Sequence, residues 1–104
     1  MAEYLGEFEH LVLLALARLG DGAYGVTIRQ TLSTRGGRRA SFGAIYSTLR
    51  RLEEKGFVRS HLGDPAPVRG GRARKIVALT PRGRAAMRAT HHAFARMAEG
   101  VEGL

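Results

Sequence analysis

What most restricts this chain is the order in which helical and extended patterns succeed one another along it. Phe8, Leu11, Val12, Ala15, Leu16 and Leu19 recur at the spacing of one helix face, so an amphipathic helix comes first. Leu14 lies off that stripe and offers a second contact surface. Gly20-Asp21-Gly22 supplies a turn. A shorter helix is then predicted from about Tyr24 to Thr34, with Val26, Ile28 and Leu32 as its core contacts. After the cationic turn Thr34 to Arg39, Ser41 is placed to cap a third helix running to about Lys55, with Gly56 as its stop. Phe42, Ile45, Leu49 and Leu52 are expected on the buried side of that helix, and Ala44, Ser47, Thr48, Arg51 and Lys55 on the outer side.

Phe57 to Leu62 and Arg74 to Leu79 are rich in β-compatible residues and read as two short strands. The Pro- and Gly-containing segment Gly63 to Arg72 joins them as a long, basic hairpin tip. Thr80-Pro81 then opens a last helix, with Thr as the cap and Pro at the first helical position. Met87, Thr90, Phe94, Met97, Val101 and Leu104 are spaced alternately by three and four, a heptad seam with one polar interruption at Thr90. Such a seam with no later element to cover it points to a partner helix. The predicted fold is mainly α with a small β-hairpin: a winged helix-turn-helix over residues 1–80 and a C-terminal dimerisation helix over 81–104, packed as one unit.

Charge distribution says what such a fold would meet. Seventeen Lys and Arg stand against nine Asp and Glu, a net +8. Residues 1–28 carry net −3, whereas residues 29–88 carry net +12. The basic block holds the second and third helices and the hairpin, the footprint of a polyanion binder. The acids of the first helix are expected to lie away from that surface. A helix fits the major groove and presents side chains to base edges, while flanking basic loops neutralise phosphates. Double-stranded DNA is therefore the expected partner. Ser41, Ala44, Ser47 and Thr48 are placed to meet base edges, and Arg51 a phosphate. Arg38 and Arg39 precede the recognition helix, and Arg69, Arg72, Arg74 and Lys75 lie on the wing.

Four stretches also carry a family likeness. They are Leu13-Leu14-Ala15-Leu16 with Tyr24-Gly25, the run Ser41 to Gly56, Gly71-Arg72-Ala73-Arg74-Lys75, and Leu79-Thr80-Pro81-Arg82-Gly83. In this order and at these separations the chain resembles the PadR family of bacterial winged-helix transcriptional regulators, over roughly Leu5 to Ala86. The run from Ser41 is similar to the family's recognition helix, usually S-x-G-T-L-Y-P-A-L-x-R-L-E-x-x-G, with Ser47 where Pro is usual. The likeness is to the shorter branch, in which one C-terminal helix dimerises. It implies that Tyr46 donates to the DNA backbone, that the protein is a cytoplasmic homodimer, and that a small hydrophobic or phenolic effector binds near the dimer interface. The expected reading is a repressor on an inverted-repeat operator, with Leu14, Met87, Phe94, Met97 and Val101 in the dimer contact.

Other chemistries find little support. With no Cys, disulfide frameworks, thiolate zinc sites and thiol nucleophiles are excluded. His91 and His92 are adjacent and so point to different faces of a helix, and no carboxylate falls at useful spacing from them. Neither a metal nor another cofactor is expected, and Glu7 and Glu9 belong to no base–nucleophile arrangement, so an enzyme is not expected. The longest apolar run, Leu11 to Ala17, is too short to span a bilayer. Glu3 in place of a basic N-terminal region argues against a secretory signal. The alternative reading is a winged-helix module for RNA or an acidic protein. RNA readers expose stacking aromatics, for which only Tyr4, Tyr24 and Tyr46 are available.

Overall fold

The apolar stripe of the first helix becomes the centre of the core. Helix α1, Glu7–Leu19, buries Val12, Leu13, Ala15 and Leu16, with Phe8, Leu11 and Leu19 packed at the margin and Leu14 left outside. At its start the Gly6 amide donates to Glu9 Oε1 at 3.2 Å, satisfying a donor that the helix cannot. At its end Gly20 takes φ 77°, a left-handed conformation natural to glycine, and leads into a 3-10 turn over Gly20–Gly22. The computed structural model describes residues 4–65 and 73–104.

Helix α2, Gly25–Thr34, packs Ile28 and Leu32 on α1. Val26, expected in the core, is exposed instead: it sits two positions before Ile28, on a different face of the same helix. Helix α3, Phe42–Glu54, starts where Ser41 Oγ accepts the Ala44 amide at 3.1 Å. Ile45, Thr48, Leu49 and Leu52 form its buried side. Gly56, at φ 81°, turns the chain out of the helix, and the Phe57 amide returns to the Leu52 carbonyl at 2.9 Å.

Strands β1, Val58–Pro65, and β2, Ala73–Leu79, form an antiparallel hairpin in which Val58 faces Leu79 and Leu62 faces Lys75. An irregularity falls between Leu62 and Pro65. The first strand therefore runs three residues past the expected Leu62, because backbone pairing with β2 continues beyond the apolar stretch. Val77 of β2 also donates its amide to the Ala23 carbonyl at 2.8 Å, tying the hairpin to the link between α1 and α2.

Helix α4, Pro81–Ala98, begins as expected from Thr80-Pro81, with Thr80 Oγ1 accepting the Gly83 amide at 3.0 Å. Its packing departs from a single exposed seam. Met87 is half-buried against the core, and Thr90 is buried, its Oγ1 accepting the Leu5 amide at 3.0 Å. The polar interruption thus anchors the start of the chain. Val101 and Leu104 lie beyond the helix, which stops at Ala98 before Gly100 takes φ 80°. Only Phe94 and Met97 of the expected seam are exposed helical positions.

Gly83 lies where α4 crosses the start of β1. A Cβ there would stand 1.9 Å from the Phe57 carbonyl oxygen, a backbone atom that cannot step aside. Gly83→Ala should destabilise the protein by about 3 kcal/mol or more through overpacking. Thermal unfolding of the two proteins checks this, and an unchanged midpoint would refute the packing.

His10 is buried between α1 and α4, its ring centroid 6.4 Å from that of His91 and 6.2 Å from that of Phe94. Nδ1 has no hydrogen-bond partner. Burial, with the nearby charge of His91, holds its pKa below the ordinary histidine value. On acidification the unfolded chain takes up this proton before the folded one, so stability is full above the unfolded pKa, near 6.5, and falls below it. The unfolding midpoint should therefore drop between pH 7.5 and 5.5, and His10→Leu should flatten that dependence. A variant with the same slope as the parent would contradict the assignment.

Candidate nucleic-acid interface

Helix α3 projects from the core with its N-terminal half largely free. Ser41, Ala44, Ser47 and Arg51 are exposed, as expected, and Arg39 stands beside them. These residues, with Arg38, line one shallow groove that runs from the α2–α3 link along α3. The structure thus brings together a basic entrance and a stretch of small side chains that lets another surface approach the helix backbone.

Thr48 does not belong to that exposed face. It is only 2% exposed, and its Oγ1 accepts a hydrogen bond from Arg51 Nη2 at 3.1 Å. Its place is set by helix phase: Ile45, Leu49 and Leu52 surround it on the buried side. Phe42, expected inside, shares the phase of Leu49 but is 37% exposed, because it is the first residue of α3 and lies at the end of the buried stripe. Directly opposite the buried side lie Gly43, Ser47, Arg50 and, at the end of the helix, Glu54, of which only Ser47 was anticipated. A helical projection centred on Ile45, Leu49 and Leu52 finds the others.

Tyr46 is 46% exposed and lies over the start of α2. Its hydroxyl oxygen would be 2.4 Å from a Cβ on Gly25, so any larger residue there would move the Tyr46 ring from this place. Its ring stacks on Phe42 at a centroid distance of 6.2 Å. On the hairpin, Arg74 and Lys75 are exposed, and the Arg74 guanidinium covers the Tyr24 ring at 4.7 Å. Arg69 and Arg72 lie outside the described residues.

The cations are not equally available, and the acids of α1 are the reason. Contrary to expectation, these acids reach the basic surface. Glu7 pairs with Arg38, whose guanidinium also lies over the Phe8 ring at 5.2 Å. Glu9 accepts from Lys55 Nζ at 3.0 Å. Burial pushes the Glu9 carboxyl up, but the Lys55 hydrogen bond, the Gly6 amide and the charges of Lys55 and Arg51 outweigh it and leave the pKa below the usual value. The pair therefore persists above the ordinary carboxylate range and is lost as pH falls through the lowered value. Arg38, expected at an interface with DNA, is thus paired with an acid of its own chain.

Large apolar side chains are exposed away from α3 in the sequence: Phe94 is 59% exposed and Met97 78% exposed, among exposed His92 and Arg96, with Val101, Tyr4 and Leu14 also exposed. Met87 is half-buried and belongs more to the core than to these exposed positions. Among the described residues, no cluster of three or more His, Cys, Asp or Glu is placed to hold a metal ion. No described helix is long and apolar enough to cross a membrane.

Comparison with known proteins agrees with this architecture. The model of the transcriptional regulator PadR-like family matches residues 12–89. The transcriptional regulator Rv3488 of Mycobacterium tuberculosis is 40% identical over 80 residues, spanning 77% of this chain and 70% of that protein. Among solved structures, a PadR-like transcriptional regulator from Bacillus cereus superposes with a TM-score of 0.71 at 20% identity, over 88% of this chain and 84% of the other. A Streptococcus transcriptional regulator does so with a TM-score of 0.70 at 25% identity, over 95% and 97%.

The internal ion pairs make a measurable claim. Glu7→Gln with Glu9→Gln should free Arg38 and Lys55, raise affinity for duplex DNA of any sequence, and steepen its salt dependence by up to about two units. Titrations at several salt concentrations check this. Unchanged affinity and slope would mean that the two cations contribute nothing to binding.

Proposed function

The chain belongs to the transcriptional regulator PadR-like family and is a transcriptional regulator rather than an enzyme, and from that premise we propose that it acts as a homodimer, repressing transcription by occupying an inverted-repeat operator. The observation that carries this reading is the outer face of α3, where small side chains at Gly43, Ala44 and Ser47 are flanked by Arg39, Arg50 and Arg51. A helix of that shape enters a major groove closely, and its cations meet the phosphates at the groove's edges. Arg69, Arg72, Arg74 and Lys75 of the wing contact the backbone alongside. Tyr46 donates its hydroxyl to a phosphate near the start of α2, where the helix dipole favours an anion.

Two copies join through Phe94, Met97 and Val101 together with Leu14, and Met87 supports the contact from its half-buried position. Residues 1–80 form the DNA-binding part and residues 81–104 the dimerisation part. A two-fold axis then sets two α3 helices in successive major grooves about 34–36 Å apart. A small hydrophobic effector near that interface acts only by binding one spacing of the two helices better than another. The protein works in the cytoplasm, where promoter DNA is found. RNA is the weaker partner, since the Tyr24 ring is covered by Arg74 and the Tyr46 ring stacks on Phe42 rather than standing free.

Titration onto the DNA upstream of its own coding sequence, against a shuffled duplex at matched salt, tests the proposal. A preference of ~10³ or more is expected of an operator-reading regulator, and equal, strongly salt-dependent binding would refute it for that DNA. Phe94→Glu should give monomers in light scattering and lose most of the preference, because the interface would bury an unpaired charge. An unchanged dimer mass would remove Phe94 from the interface.

A further inference from the structure

Phe42 is the first residue of α3, and a large exposed ring there is at odds with the small side chains that follow it at Gly43, Ala44 and Ser47. It is not loosely held. The Arg29 guanidinium lies 4.7 Å from the ring centroid, and Arg29 is itself fixed by donating from Nε to the Ala40 carbonyl at 3.0 Å. The Tyr46 ring also stacks on it with 22° between the planes. Tyr46 in turn rests on the space left by Gly25. An aromatic side chain is thus held by two neighbours while over a third of its surface stays open.

The first residues of a recognition helix are the ones that reach base edges. Major-groove edges present hydrogen-bonding groups at every base pair, and a phenyl ring set against those leaves them unpaired. The one apolar feature on offer is the C5-methyl of thymine. We propose that Phe42 is a specificity-determining residue that selects thymine by packing on this methyl group. The proposal rests on the DNA-reading function above and adds to it the base that one residue recognises. Arg29 and Tyr46 act as positioning residues, since they set the ring's direction before DNA arrives.

The test begins by selecting preferred duplexes from a random pool, then replacing each thymine of the selected half-site in turn by deoxyuracil, which removes only the methyl. The parent protein should lose roughly three- to fivefold in affinity at one or two positions per half-site, the scale of one buried methyl group. Phe42→Ala should bind the selected duplex more weakly and be indifferent to the same replacement. Phe42→Gln serves as a second variant should the alanine protein fail to fold, and it should also lose the methyl dependence. A parent protein indifferent to every thymine methyl overturns the proposal, as does a variant that loses the same factor as the parent. Either result on an enriched sequence leaves the DNA-reading function standing. Failure to enrich any sequence would refute that function and this inference together.

Discussion

The structure depends on one junction, where the end of α3, the start of β1 and the start of α4 meet around Thr80. The Thr80 hydroxyl donates to the Gly56 carbonyl at 2.6 Å and accepts the Gly83 amide, while the Thr80 amide donates to the Phe57 carbonyl at 3.0 Å. One residue thereby caps α4, closes the hairpin and ties both to the glycine that ends the recognition helix. Phe57 and Leu52 are buried beside it, so these bonds are partly shielded from water. The second tie, from Val77 to Ala23, fastens the same hairpin to the α1–α2 link. Between them the wing and the helix-turn-helix are held at a fixed relation.

Electrostatics is layered over that frame. A net +12 across residues 29–88 suggests a uniformly cationic surface, yet two of its members are answered from α1. Glu7 and Glu9 fasten Arg38 and Lys55 on the flanks of α3, leaving Arg39, Arg50 and Arg51 as exposed cations near its outer face. An ion pair of this exposed kind adds little to stability. On the DNA-reading function proposed above, its effect would be to lower the general attraction for polyanions and leave more of the discrimination to the shape of α3.

Much of the fold was legible because its signals are local. Ser41, Gly56 and Thr80-Pro81 each act within a turn of their own position, and each marks a boundary close to where the structure has it. Errors arose where identity was allowed to outweigh phase. Val26 is apolar and Thr48 polar, yet the positions of Ile28, Ile45 and Leu49 fix which of them is buried, while Phe42 is in phase with Leu49 and is exposed by its place at the helix end. The seam beyond Ala98 failed for a related reason: heptad spacing continues in the residues, but the backbone leaves the helix before Gly100. The pairs Glu7–Arg38 and Glu9–Lys55 join residues 31 and 46 positions apart, a separation over which no local pattern operates. Within the site, the basic entrance and small-residue face were readable, while the braced ring of Phe42 required knowing where Arg29 and Tyr46 lie.

The bond from the Leu5 amide to Thr90 Oγ1 has a practical side. It pins the beginning of the described chain one helical turn from Phe94, at the edge of the exposed apolar end of α4. A peptide appended ahead of Leu5, such as an affinity tag, therefore starts within reach of that face. Where Phe94 and Met97 meet a second copy, a fusion placed there would disturb that contact, and the choice of which terminus to extend becomes part of the experiment.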